Sequence, residues 1–355
     1  MPKTLKEVYA PYFTVGAAVS AWWLDEAAEV VKANFDTVTC ENEMKYLSIH
    51  PHGYQPPENV NRFNRGEDEY RPEITDRESL IHPTLVVDTS GADKIANFAR
   101  ENGLKIRGHN LAWHASYPWG VFEQLSPSEL RSNLDEHFKL MAEKYGDCYC
   151  WDVVNEALND RLDGGDLRDN VFHKKLGDDY LFELHGLARK YFPNSELCLN
   201  DYSEFRPDKR DRIIRTAMAL KERGLVDVIG LQCHTNIGIL RHGFGEVRRS
   251  LDMYAKTGLK LHVTEMDVCC IEWKKDPKPA TPEMTAQVAE VYERFFEIFK
   301  EYSEFIENIT LWGVSNKHSW LNHMGPKECH GTNKPLLFDD NYQATESLER
   351  LLQMV

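Results

Sequence analysis

Eight short β-rich runs, amphipathic segments between them, and polar and aromatic residues gathered where the runs end predict a (β/α)8 TIM barrel, an α/β fold. Strict alternation of strand and helix implies a parallel sheet, and eight units are the number that closes it into a barrel. A doubly wound open sheet is the main alternative. No GxGxxG follows the first run, which argues against it.

The first run, 13–19, precedes a helical pattern over 25–35. The second, 37–44, ends in Glu41-Asn42-Glu43-Met44-Lys45. About 46–90 then separate it from its helix at 92–102, far beyond the usual βα loop of about 2–6 residues. This insertion carries five prolines from Pro51 to Pro83, with His50, His52, Tyr54, Phe63 and Tyr70. In a barrel it emerges at the C-terminal face. The third run, 105–113, contains Arg107-Gly108-His109 and ends at Trp113-His114. Its helix, 126–145, opens Ser126-Pro127-Ser128-Glu129, with an N-cap, proline at the first helical position and an acid two places on.

The fourth run, 148–156, ends Trp151-Asp152-Val153-Val154-Asn155-Glu156 and is followed by a helix at 178–191. The fifth, 196–202, ends Asn200-Asp201-Tyr202, before a helix at 208–223. The sixth, 226–234, ends Gln232-Cys233-His234. The seventh, 260–268, carries Thr264-Glu265-Met266-Asp267 and leads to a helix at 283–302. The eighth, 308–315, holds Trp312-Gly313-Val314-Ser315. Gly103, Gly146, Gly224 and Gly258 follow helical patterns, where a left-handed C′ glycine is expected. No linker or internal repeat interrupts the chain, so 1–355 reads as one catalytic domain.

Composition narrows the function. A net charge of −15 argues against nucleic acid, whose phosphates need clustered lysine and arginine. No apolar run approaches the roughly 20 residues that span a bilayer, and the start carries no signal-peptide pattern. A cytoplasmic protein is expected, or a secreted one if a signal was trimmed. The cysteines, at 40, 148, 150, 198, 233, 269, 270 and 329, form no CxxC or CxxH pair and fall mostly in or beside apolar runs. Buried free thiols are the expectation. A monomer or homodimer is expected.

The strand ends carry the chemistry. Hydrolysis of a glycoside needs two carboxyl groups in different protonation states. Glu156 and Glu265 each sit at a strand end within the polar-aromatic ring and are the candidates. Alternation along a strand puts Gln232 with His234, and Glu265 with Asp267, on one side. Asp267 is then placed to orient His234, and His234 to keep Glu265 ionised. Asn155 is placed to bond a sugar 2-hydroxyl, and Trp113, Trp312 and Trp320 offer flat faces to sugar rings. Taken singly, each feature has a plainer reading: a strand-end Glu is more often an ion-pair partner, a strand Trp usually core. His109, His114 and His234 read singly as buried histidines or metal ligands, yet no HExxH spacing supports a metal. Neither metal nor cofactor is expected. The joint occurrence of these features at the ends of one barrel favours the functional reading.

These runs closely resemble glycoside hydrolase family 10, whose best-known members are xylanases. The resemblance spans nearly the whole chain, from Val15-Gly16-Ala17-Ala18-Val19 to Pro335-Leu336-Leu337-Phe338-Asp339. It rests on Glu-Asn-Glu-Met-Lys, Arg-Gly-His, Trp-Asp-Val-Val-Asn-Glu, Thr-Glu-Met-Asp and Trp-Gly-Val-Ser, in that order, with Ser319-Trp320 beyond. It implies an endo-β-1,4-xylanase acting with retention, with Glu156 as acid/base and Glu265 as nucleophile supported by His234 and Asp267. It also implies sugar-binding roles for Glu41, Asn42, Lys45, His109, Trp113, Asn155, Tyr202, Gln232, Trp312 and Trp320. The opening Leu5-Lys6-Glu7-Val8-Tyr9 resembles that of the intracellular group, which acts on short xylo-oligosaccharides. Asn316, Tyr46 and Ser203 stand where the family often has Asp, Trp and Asn, and Ala344-Thr345-Glu346 replaces a Lys-Pro-Ala-Tyr-like run.

Xylan or xylo-oligosaccharide is therefore the expected substrate. Two other readings stay open: the same mechanism on a β-glucan or mannan, and a non-catalytic carbohydrate-binding barrel. Binding alone needs no acid/nucleophile pair, which weighs against the second.

Overall fold

The computed structural model describes residues 4–51, 70–161, 164–272, 279–324 and 332–354. Its strands are β1 (Thr14–Val19), β2 (Thr37–Cys40), β3 (Lys105–Trp113), β4 (Cys150–Asn155), β5 (Glu196–Asp201), β6 (Val228–Leu231), β7 (His234–Asn236), β8 (Lys260–Cys269) and β9 (Ile306–Leu311). Neighbours pair in parallel in the order β6-β5-β4-β3-β2-β1-β9-β8, and β6 pairs back onto β8. An eight-stranded parallel barrel is thereby closed, as the alternating pattern predicts. The short β7 continues beyond β6 and also lies against β8.

The eight β-rich runs are the eight staves, with two instructive differences. The run 37–44 is strand only to Cys40, because the chain turns out of the barrel where its polar residues begin. The run 226–234 is broken between β6 and β7, where Cys233 adopts a φ of +60°. The six expected helices form at Leu24–Asn34, Ser90–Glu101, Pro127–Tyr145, Tyr180–Tyr191, Pro207–Glu222 and Pro282–Glu301. A further helix, Gly245–Ala255, follows β7 and buries Val247, Leu251 and Tyr254 at helical spacing. The terminal helices Leu5–Tyr9 and Glu346–Gln353 meet, with the Tyr9 hydroxyl donating to the Leu351 carbonyl at 3.0 Å.

Local signals explain several boundaries. Ser126 Oγ accepts from the Glu129 amide at 3.3 Å, and Glu129 Oε2 accepts from the Ser126 amide at 2.7 Å, a capping box beside Pro127. Gly103, Gly224 and Gly258 take left-handed φ of +69°, +68° and +64°, as C′ glycines do. Gly146 does not: its φ is −66°, so its helix ends in right-handed geometry that any residue adopts. Gly108 answers to crowding, since a Cβ there would lie 2.2 Å from the Trp151 ring on the adjacent strand.

One hydrophobic cluster runs from Leu5 to Leu351. Part of the insertion, 52–69 with His52, Tyr54 and Phe63, lies outside the described residues. Its described ends are tied to the barrel. The Asp88 amide donates to the Ile49 carbonyl at 2.9 Å, and Arg77 pairs with Glu129 at 2.7 Å. His50 is buried against His137, their Nε2 and Nδ1 2.9 Å apart. Seven cysteines are buried, and Cys40, Cys148, Cys150, Cys198 and Cys233 among them are free thiols, as expected; Cys329 lies outside the described residues. No helix among the described residues is long and apolar enough to cross a membrane.

Candidate active site

The polar strand ends meet at the C-terminal mouth of the barrel, and local irregularities aim them. β4 delivers Asn155 and then Glu156, whose φ of +56° turns the chain out of the strand. Non-glycine residues seldom adopt this conformation, and it concentrates at functional sites. The pairing of β3 with β4 slips between His109 and Ala112, and that of β8 with β9 between Val263 and Met266. Such bulges redirect side chains. Around the second slip, two successive residues reach the same asparagine. Thr264 Oγ1 donates to Asn200 Oδ1 at 2.6 Å, and Asn200 Nδ2 donates to Glu265 Oε1 at 2.7 Å.

Glu156 is held from both sides. Its Oε2 accepts from Trp113 Nε1 at 3.0 Å, its Oε1 from Gln232 Nε2 at 3.2 Å, and its carbonyl from Arg168 Nε at 2.9 Å. Burial pushes its carboxyl above the usual carboxylate range. Asp201 and Glu265 add to the rise, against the bonds from Trp113 and Gln232. Asp201 is itself fully buried, accepting from the Leu158 amide at 3.0 Å and lying 2.9 Å from Lys209 Nζ.

Glu265 is shifted the other way. Burial alone would raise it, but His109 and His234 outweigh that and hold the carboxyl below its ordinary value. His234 Nε2 lies 3.4 Å from Glu265 Oε2, and its Nδ1 lies 3.0 Å from Asp267 Oδ1. Burial disfavours the imidazolium, yet Asp267 holds His234 well above the ordinary imidazole value. Trp320 Nε1 donates to the second Asp267 oxygen at 2.7 Å. Asn155 Oδ1 accepts from Asn200 Nδ2 at 2.9 Å and lies 3.5 Å from Gln232 Nε2, so a chain of amides joins the two carboxyls. One carboxyl raised and the other lowered, so joined, suit a proton donor to a leaving oxygen and a nucleophile at the carbon it leaves.

The remaining expected residues stand around this pair. His109 pairs with Asp152 at 2.8 Å and meets Trp312 edge-on, their ring centroids 5.1 Å apart. Lys45 Nζ donates to Asn42 Oδ1 at 2.9 Å and lies 4.7 Å from the Trp113 ring centroid. Burial lowers Lys45 against the pull of Glu265, Glu41 and Glu156, and burial pushes Glu41 up to about 7. The Tyr202 ring lies 4.7 Å from Lys209 Nζ, and its hydroxyl donates to Asp160.

Gln232 and His234 do share the mouth, as expected, though simple alternation is not the reason: the strand breaks at Cys233 between them. Asn200, Asp152, Asp201 and Arg168 belong to the site's support and were not singled out by the sequence. An asparagine and two aspartates inside apolar strands are a usable signal. Arg168, beyond the strand in a loop, gives none. Tyr46 and Asn316, two departures from the family pattern, are buried. The Tyr46 hydroxyl donates to Asn133 at 3.0 Å, and Asn316 Oδ1 accepts from the Leu336 amide at 2.9 Å.

Cys150, Glu196 and His262 bring possible ligand atoms within 4.8 Å of one another at the other, N-terminal end of the barrel. Lys260 pairs with Glu196 at 2.5 Å, and burial with the nearby Arg107 depresses His262 to about 3. Two cations at that spot oppose a divalent ion.

The glycosyl hydrolase family 10 model matches residues 4–354. The chain belongs to that family. It is a retaining glycoside hydrolase of β-1,4-xylosidic bonds. It is 34% identical to endo-1,4-beta-xylanase A of Caldicellulosiruptor saccharolyticus over 361 residues, covering 99% of this chain and 95% of that one. It is 33% identical to endo-1,4-beta-xylanase B of Paenibacillus barcinonensis over 362 residues, covering 98% and 97%. Among solved structures, the endo-1,4-beta-xylanase of Caldicellulosiruptor owensensis superposes with a TM-score of 0.83 at 32% identity, covering 100% of both chains. Xylanase XynB of Paenibacillus barcinonensis, complexed with a conduramine derivative, gives 0.84 at 31% identity, covering 99% of this chain and 98% of that one.

Proposed function

We propose that Glu156 is the general acid/base of this family 10 enzyme and Glu265 its nucleophile. The opposed shifts of the two carboxyls carry this reading: one is raised, the other lowered, and amides link them. Glu265 attacks the anomeric carbon while the Glu156 proton passes to the departing oxygen, breaking the glycosidic bond. Glu156 then takes a proton from water, which attacks the same carbon and frees Glu265. Glu41, Asn42, Lys45, His109 and Asn155 bind sugar hydroxyls, and Trp113, Tyr202, Trp312 and Trp320 form the apolar walls. Gln232 positions Glu156, and His234 with Asp267 keeps Glu265 ionised.

Short xylo-oligosaccharides are the preferred substrates in this reading. The length of the insertion that follows Glu41, Asn42 and Lys45 in the sequence supports it, since those residues would bind the non-reducing side of the substrate. A reducing, cytoplasmic setting goes with it, supported by the free buried thiols of Cys40, Cys148, Cys150, Cys198 and Cys233.

Leaving-group dependence tests the roles. Glu265→Ala should abolish turnover. Glu156→Ala should slow xylo-oligosaccharides far more than aryl xylosides with activated leaving groups, since the latter need little protonation. Equal losses on both would remove the acid role. Product analysis on xylotriose, xylohexaose and polymeric xylan tests the size preference, which mid-chain cleavage of xylan at equal rate would refute.

A further inference from the structure

Glu204 lies just beyond β5 and is 3% exposed. Its Oε1 accepts from the Cys233 amide at 2.8 Å. Its own carbonyl accepts from the Tyr254 hydroxyl at 2.8 Å, which ties it to the helix Gly245–Ala255. Cys233 is a left-handed non-glycine residue, a conformation that persists only where surrounding contacts impose it.

What Cys233 separates gives this contact its interest. On one side Gln232 Nε2 donates to Glu156 Oε1 at 3.2 Å; on the other, His234 Nε2 stands 3.4 Å from Glu265 Oε2. One two-bond turn therefore hands one residue to each carboxyl. Rotation at Cys233 swings Gln232 and His234 relative to each other and alters both contacts at once. Neighbouring backbone bonds, Gln232 amide to Asp201 carbonyl at 3.2 Å and Glu265 amide to Gln232 carbonyl at 3.0 Å, fix the near side of the turn. The Glu204 bond fixes the turn itself.

We propose that Glu204 is a positioning residue for hydrolysis: by holding the Cys233 amide it sets how Gln232 and His234 present the two carboxyls to one sugar. This rests on Glu156 and Glu265 having the roles given above. A bond from an amide N–H to a carboxyl oxygen is directional, and displacement of reacting groups by about 1 Å costs up to about a hundredfold in rate.

The test compares Glu204→Gln with Glu204→Ala on an aryl xylobioside, reading kcat, KM and melting temperature. Gln keeps an acceptor for the Cys233 amide, and kcat should stay within about threefold of the parent enzyme. Ala removes the acceptor, and kcat should fall by about tenfold or more while KM changes by less than about twofold. Adding Cys233→Gly to Glu204→Ala should restore part of kcat, because glycine holds the left-handed turn without an anchor. Should Glu204→Ala fail to fold, Glu204→Asp, one methylene too short to reach the amide, takes its place. An unchanged kcat in the truncated variant, equal losses in Gln and Ala, or a lowered melting temperature with kcat intact each overturn the proposal. Glu265→Ala run in parallel separates the two levels: turnover there would remove the assignment beneath the inference, whatever the Glu204 variants do.

Discussion

His234 and Asp267 are register partners on β7 and β8, and their Nδ1 and Oδ1 stand 3.0 Å apart while the other ring nitrogen faces Glu265. The pair converts a distant charge into a property of Glu265. Asp267 holds the imidazole above its ordinary value against burial, and the imidazole in turn helps hold the Glu265 carboxyl below its own.

Asp267→Asn therefore acts on Glu265 through His234. With Glu265 as the proposed nucleophile and its carboxyl depressed, activity is present above its pKa and lost as pH falls through it. Removing the Asp267 charge lets that pKa rise, so the acidic limb of the rate profile moves to higher pH. kcat falls about tenfold or more. Rates on an aryl xylobioside across pH check this, and a limb that stays in place would show that the link carries no charge effect.

With Glu156 as the proposed general acid, the basic limb belongs to it: it must be protonated to act, and activity is lost as pH rises through its raised pKa. After burial itself, Asp201 is the largest contributor to that rise. Asp201→Asn should move the basic limb to lower pH and leave the acidic limb where it was. A melting curve controls for Lys209, which loses its charged partner at 2.9 Å.

Sugar choice should rest on the tryptophans. Trp320 is held by its 2.7 Å bond to Asp267 and packs on His234, ring centroids 5.2 Å apart. If it crowds the place of a C5 hydroxymethyl group, Trp320→Ala raises the ratio of aryl cellobioside to aryl xylobioside turnover by about tenfold. An unaltered ratio, with both rates simply lower, would locate the discrimination elsewhere.

Stability has a separate dependence at the barrel's centre. Arg107 and Asp152 pair at 2.7 Å, both 1% exposed, and burial of Asp152 is outweighed by Arg107 and His109, bringing it down to about 2. Its stabilising contribution is present above the ordinary carboxylate value and lost as pH falls through about 2. Asp152→Asn leaves Arg107 buried without its counter-charge and should cost about 3–5 kcal/mol, read by urea unfolding at neutral pH. A cost below about 1 kcal/mol would mean that water reaches Arg107 and screens it.

The sequence carried the fold almost whole, because strands and helices in an α/β barrel have different apolar periods and largely alternate. It also located the mouth residues, since Glu156, Glu265 and Trp312 interrupt or end apolar runs. It was less informative where one residue type serves two environments. Gly146 looked like a left-handed C′ glycine and is right-handed, because a glycine in the chain does not announce its φ. The 37–44 run looked like one strand, because Thr37–Cys40 and the turn after it share no breaker residue.

By itself the sequence determined which strand ends carry the polar and aromatic residues, for that follows from their order along each stave. Only the tertiary structure decided how they pair: that Gln232 serves Glu156 and His234 serves Glu265, that Asn200 spans the two strands between them, and that Glu204 holds the turn at Cys233. The reason is physical. These contacts join residues far apart in the chain through a left-handed turn and slipped strand registers, and neither leaves a periodic trace in the order of amino acids.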